Sequence, residues 1–223
     1  MGNMMTYGRS GDAVVRWPDN AVARQALADY LAALPGDSLD ITVPLGGGKL
    51  DFTGADLSGL ELANAAFTEA ILAGVRLTGA NLVNAWLIGA TLPGADLSQC
   101  HLRKAQGRAC DARGAVFREA DLQRAEFDDA DLREADLSRT QLGGAFLAGA
   151  DLRGASLRGC SFGQAGRSAD LDEARLAGCL VDGATGAVIG SADVGVSAPH
   201  ILRGADLQRW FAGHGAPEVE VRG

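Results

Sequence analysis

Four cysteines, three histidines and a set of evenly spaced aspartates are the residues through which this 223-residue chain could do chemistry. Cysteine and histidine together would suggest a metal centre, but there is no CxxC pair and no histidine at ligand spacing. His101 stands beside Arg103 and reads as a solvated imidazole rather than a general base. No GxSxG, HExxH or Gly-rich nucleotide fingerprint occurs, and Gly46-Gly47-Gly48-Lys49 lacks the spacing of a phosphate-binding loop. The aspartates are different. Asp111, Asp131 and Asp151 recur every 20 residues, each two positions before an arginine (Arg113, Arg133 and Arg153). Like charges stack at such a spacing only with the opposite ladder beside them. No catalytic constellation results. The chain reads as a non-enzyme, with no cofactor and no metal expected.

The element that must position these residues is a five-residue repeat. From Phe52 to Phe162 there are 23 centres at a step of five, and 21 are Leu or Phe. Two residues before each centre sits a small or apolar side chain, mostly Ala, and Asp or Asn recurs between them, as in Ala95-Asp96-Leu97. On an α-helix a step of five drifts by roughly 140°, so the centres would spiral around the rod. On a straight strand an odd step sends successive centres to opposite faces. All centres are buried together only if the chain bends once per repeat. Gly54, Gly59, Gly74 and further glycines two after a centre supply the corners. Short extended segments joined by corners make a solenoid, and the second period of 20 residues suggests four sides per coil.

This pattern, A-(D/N)-L-X-X over about half the chain, resembles the pentapeptide repeat proteins. The resemblance implies an all-β solenoid, a right-handed quadrilateral β-helix, on which the terminal segments read as short helical caps. It also implies a function. The family's gyrase-protecting members resemble double-stranded DNA in size, shape and charge. DNA gyrase or topoisomerase IV is then the expected partner, bound by a DNA mimic that protects from or modulates topoisomerase poisons and so confers antibiotic resistance. The alternative is an interaction scaffold with an unrelated protein partner.

Charge and cysteine usage bound these readings. A net charge of −8 argues against direct nucleic-acid binding. Between Lys49 and Ala165 there are 15 acidic and 12 basic residues, so the rod's surface is mixed rather than a single-sign field. Cys100, Cys110, Cys160 and Cys179 take the small inward slot, where buried free thiols fit a reducing cytoplasm. No run of apolar residues is long enough for a membrane span. Met1-Gly2 begins a myristoylation-like pattern, read as chance.

Three segments follow: 1–48 as an N-terminal capping segment, 49–186 as the repeats and 187–223 as a C-terminal capping or dimerisation segment. Residues 18–34 predict a helix with Pro18 at its start, Asp19 or Asn20 as cap and Pro35-Gly36 as stop. Its expected buried stripe is Val22, Ala26, Leu27, Tyr30, Leu31 and Leu34. Leu39 to Val43 reads as a first strand, and Gly46 to Lys49 as a turn. Gly107 and Ala112 replace large centres, which predicts a cavity, a bend or an inward-leaning neighbour. After Phe162 the frame slips by one across Gly163 to Gly166. It resumes at Ala169-Asp170-Leu171, Ala174-Arg175-Leu176 and Cys179-Leu180-Val181.

Outward positions then give candidate contacts. Ala66, Trp86, Gln106, Glu126 and Phe146 lie 20 apart and should stack on one side. Ile88 lies on that side and Ile71 on the adjoining one. Ile71, Trp86, Ile88 and Phe146, with Asp111, Asp131 and Asp151, are the candidate partner-binding residues. Either a terminal segment covers the aromatics or Trp86 anchors a partner or a second copy. A short helix within Arg203 to Gly213 offers Leu207, Trp210 and Phe211 for a homodimer.

Overall fold

The computed structural model describes residues 7–34, 44–164 and 166–222. The expected strand Leu39 to Val43 and the stop at Pro35-Gly36 lie outside the described residues. Through the repeats the chain pairs with itself in parallel, 20 residues on: Asp51 with Ile71, Ile71 with Thr91, Thr91 with Asp111. Four such ladders run side by side, one for every fifth residue, so each coil has four sides.

One repeat explains the rest. Ile71 N donates back to Leu50 O at 2.9 Å, while Leu72 N donates forward to Thr91 O at 2.7 Å. At the corner Val75 N returns to Leu72 O at 3.1 Å, and Gly74 N reaches forward to Pro93 O at 3.0 Å. The corner is a β-turn whose third residue has positive φ, the signature of type II. Gly74 (φ 63°) meets this without strain, whereas Glu69 (φ 57°) holds the same conformation with a full side chain. The ladder bonds over-determine the corner enough to keep it there.

The Leu and Phe centres and the small slots before them form one apolar core. Burying each large centre contributes about 1.5–3 kcal/mol. A slot that carries a donor finds a carbonyl of the preceding coil: Cys100 Sγ meets Leu77 O at 2.8 Å and Thr140 Oγ1 meets Phe117 O at 2.9 Å. All four cysteines are buried and free. Desolvation pushes the thiols of Cys100, Cys110 and Cys179 up to about 12, so they stay protonated and unreactive near neutral pH.

At Gly107 the inward-leaning neighbour is the outcome. A Cβ on Gly107 would lie 2.5 Å from the ring of Phe127, which stands one coil on and fills the vacated space. Gly47 and Phe67 repeat the arrangement, with a clearance of only 2.9 Å. Gly46 bridges Ala66, and Leu45 and Gly47 are buried. The stretch expected as a plain turn is therefore a repeat of the coil, the first among the described residues.

Both ends engage the coil's edges. Gly8 N donates to Gly59 O and Arg16 N to Asp56 O, so the N-terminal segment occupies ladder positions that no earlier coil fills. Helix α1 (Ala21–Ala33) starts at Asn20, whose side chain accepts from Val22 N and Ala23 N. It buries Ala23, Leu27, Tyr30 and Leu31. Val22, expected in that stripe, is exposed: it sits one residue off the face that Ala23 presents to the core. Beyond the repeats, β1 (Ala169–Asp170), β3 (Thr185–Ile189) and β6 (Glu218–Arg222) form one sheet. A second sheet joins β2 (Ala174–Arg175), β4 (Ser191–Asp193) and β5 (Ile201–Arg203), with α2 (Gly204–Gly213) following β5.

Gly107→Ala should destabilise the protein by about 1–3 kcal/mol through overpacking against Phe127. Phe127→Leu should relieve most of that cost in the double variant. Thermal melts of the four proteins check it, and additive penalties would mean the two sites are not coupled.

Candidate interaction surface

The outward side chains are sorted by what they do for the turn beside them. Asp111 Oδ1 accepts from Arg113 N, and its two oxygens take Arg113 Nε and Nη2 at 2.8 and 2.7 Å. Asp131 with Arg133 and Asp151 with Arg153 repeat this geometry. Two of these arginines also approach the aspartate of the next coil, Arg113 to Asp131 at 3.7 Å and Arg133 to Asp151 at 3.8 Å. Hydrogen bonds from the paired arginines lower the Asp111 and Asp131 carboxyls. At Asp151 partial burial pushes upward, but the bonds from Arg153 prevail and the net shift is downward. These three aspartates are thus a neutralised ladder rather than a free acidic strip.

The adjoining side is built differently. Ala66, Trp86, Gln106, Glu126 and Phe146 stack as successive parallel partners, and the ladder continues through Asp170 and Ile189 to Arg222. Trp86 is 51% exposed and Phe146 46%, and Ile71 and Ile88 are exposed beside them. No described terminal segment covers Trp86. The two aromatics stand three rungs apart, roughly 14 Å at the strand spacing, with Gln106 and Glu126 between them. The core behind Gln106 is filled by Phe127, so no interior depression separates them.

After Phe162 the ladder step becomes 24 residues, as in Phe146 to Asp170 and Ser161 to Thr185. The excess forms a loop closed by Ala169 N on Phe162 O at 3.0 Å, where an ordinary corner closes after three residues. It rests on Gly143 and Gly144: a Cβ on Gly143 would lie 3.3 Å from Gly163 Cα, and one on Gly144 would lie 4.0 Å from Arg167 Cβ. Between the loop and the Phe146 side lies a groove of about 920 Å³, lined among others by Lys104, Arg124, Arg167, Glu126, Phe146 and Ile189. Sequence reading noted the frame slip but missed the groove. The signal was there in Lys104 and Arg124, 20 residues apart and followed by Gly144.

Leu207 and Phe211 correct an expectation. Both are buried, and Phe211 packs edge-on against Phe162 at 5.9 Å. Both belong to the chain's own apolar core. Trp210 is half-buried, edge-on to Phe211 at 5.1 Å and stacked on His214 at 4.4 Å.

A family model of pentapeptide repeats matches eight copies, over residues 50–85, 80–106, 108–139 and 135–165. The chain belongs to the pentapeptide repeat family. Several solved pentapeptide repeat structures are similar. HetL, involved in heterocyst differentiation regulation in the cyanobacterium Nostoc, is 31% identical over 63% of this chain and 74% of its own, with a TM-score of 0.46. A thylakoid-lumen protein of Arabidopsis thaliana is 26% identical over 44% and 69%, with a TM-score of 0.44. QnrB1, a plasmid-mediated fluoroquinolone resistance protein, is 24% identical over 77% of each chain, with a TM-score of 0.39. No curated protein sequence matches the chain. Among the described residues no helix of this pentapeptide repeat protein is long and apolar enough to cross a membrane.

Asp131→Ala should cost under about 1 kcal/mol at neutral pH, since its arginine partners are largely exposed. The lowered native carboxyl stabilises the fold fully above the ordinary aspartate value near 3.8, and that contribution is lost as pH falls below it. The gap between wild type and variant in urea melts should therefore persist from pH 7 to pH 5 and close in stronger acid.

Proposed function

We propose that this protein is a non-enzymatic binding rod that docks a protein partner along the side carrying Trp86, Ile88 and Phe146. Trp86 carries the reading. It occupies the outward position where Asp or Asn elsewhere accepts the turn's free amide, as Asn81 does for Val83 N. An indole there accepts no such bond and leaves 51% of its surface in water. A rod that only needed solvation would gain nothing from this exchange, whereas exposed aromatics beside aliphatics are the composition of interface anchors. The interior supports binding over catalysis, because Leu, Phe and Ala fill it along its length. The right-handed sense of the coil is taken from the family, and α1 and α2 are read as caps because an open solenoid end exposes unpaired strand edges. Four buried free thiols support a reducing cytoplasm as the location.

A narrower reading makes the partner DNA gyrase or topoisomerase IV, engaged by mimicry of duplex DNA, with protection from topoisomerase poisons as the outcome. What favours it is one corner of the rod, where Asp128-Asp129 and Asp172-Glu173 stand two rungs apart in a chain of net charge −8. Asp111, Asp131 and Asp151 contribute little to such a field, being paired with arginine.

Trp86→Ala should weaken capture of the partner from the native host at least tenfold while shifting the melting temperature by less than about 2–4 °C. A large loss of stability with unchanged capture would make Trp86 a packing residue. For the narrower reading, supercoiling assays with the host's gyrase, with and without a quinolone, should show protection or inhibition. No effect at tens of micromolar removes it.

A further inference from the structure

We infer that the groove between Phe146 and the loop after Phe162 is a docking site for an acidic, extended segment of a protein partner. This rests on the binding-rod reading and names the chemistry of what binds. The first observation is a column of positive charge. Lys104 and Arg124 occupy corner positions on successive rungs, both in the left-handed conformation (φ 59°). The next corner residue in the column is Gly144. Over it lies Arg167, brought there by the four extra residues of the loop.

Among the described residues none of these three cations has an acidic partner within ion-pair distance, whereas Arg113, Arg133 and Arg153 each grip an aspartate. Stacked like charges repel at the spacing of neighbouring strands. Three unneutralised cations in one column of a chain of net charge −8 are therefore a local inversion of sign that a bound anion relieves.

The second observation is the floor. Phe146 and Ile189 line the same groove and are both exposed. Two carboxylates share this lining: Glu126 faces Arg108 at 3.9 Å, and Asp170 accepts Asp172 N at 2.9 Å and keeps its charge, so a bound segment meets them with its apolar edge. An extended peptide alternates its side chains with period two. Carboxylates on one edge meet Lys104, Arg124 and Arg167, while apolar side chains on the other meet Phe146 and Ile189. A groove of about 920 Å³ is ample for such a segment. Nucleic acid fits less well. Tight binders neutralise roughly 6–10 phosphates, and this column supplies three cations beside an acidic corner.

The test selects from a displayed library of random short peptides on the full-length protein, then measures the winners by fluorescence anisotropy. Selected sequences should be rich in Asp and Glu with interspersed aromatic or aliphatic residues, and should weaken as salt rises. The triple variant Lys104→Gln/Arg124→Gln/Arg167→Gln should bind them at least tenfold more weakly at an unchanged melting temperature. Should the triple variant fold poorly, Arg167→Gln alone, in an exposed loop, should still give a severalfold loss. Neutral or basic winners, no winners, or binding unchanged in the variants overturns the inference. So does tighter binding of a single-stranded oligonucleotide than of the acidic peptides. A host partner lost on Trp86→Ala but kept by the triple variant refutes the groove and leaves the binding rod standing. A wild-type protein that captures no partner sinks the rod reading itself.

Discussion

One backbone amide in each repeat has no carbonyl to meet in the neighbouring coils, and the surface of the rod is organised around it. Four of five N–H groups are taken by ladder or turn, as at Ala70, Ile71, Leu72 and Gly74. The fifth, on the residue after the centre, points away from both neighbours. Pro93 sits at that position, the one place in the repeat where a missing N–H costs no ladder bond. In many other repeats the side chain just before the centre accepts it: Asp51 for Thr53, Asp96 for Ser98, Asp136 for Ser138. This is a side-chain mimic of a turn, for which Asp and Asn have the right length. The recurrence of Asp and Asn in the repeat is thus a requirement of the backbone before it is a source of charge.

That requirement explains why an acidic repeat does not give an acidic rod. A carboxylate fixed by the amide presents both oxygens to the residue two positions on, and arginine there closes a fork of two hydrogen bonds. Three coils in succession use this device, and Arg175 extends it with a contact to Asp151 at 3.7 Å. The net charge of the chain therefore says little about the field on any one side. Only residues outside this arrangement are available to a partner: acids on the turn itself, such as Asp129, and cations such as Lys104.

The architecture was legible in the sequence because it depends on period and size alone. Centres and slots follow from which residues are large, small or glycine, and the count of four sides from the 20-residue recurrence of Asp and Arg. The purpose of the Asp that precedes many centres was not legible, since a hydrogen bond to an amide two residues on leaves no trace in periodicity. The first described repeat, Leu45 to Lys49, was hidden because Gly47 stands where Leu is expected, and only Phe67 a coil away shows how its space is filled. Leu207 and Phe211 had the composition of an interface, yet composition cannot say whether the apolar surface they meet belongs to another chain or to Phe162. The stacked side with Trp86 and Phe146 was legible as a position. Its use of those positions becomes meaningful only once the amide they fail to satisfy is seen.

The loop after Phe162 alters the surface of the rod without disturbing its core. In a solenoid each coil touches only its neighbours, so an insertion perturbs the structure no further than the next rung. Here the disturbance is contained within a single corner. Ala169 N closes on Phe162 O as any corner amide would, and Leu171 and Leu176 return to the core. The glycines at Gly143 and Gly144 leave the loop a surface to lie on. None of this adds to the core, and the coil would run on with an ordinary corner in its place. What the insertion changes is the outside: Gly166, Arg167 and Ser168 line a groove, and Arg167 is set above Lys104 and Arg124. Because backbone and core already fix the rod, such additions alter its recognition surface while leaving its fold intact, which places the specificity of this protein in its departures from the repeat.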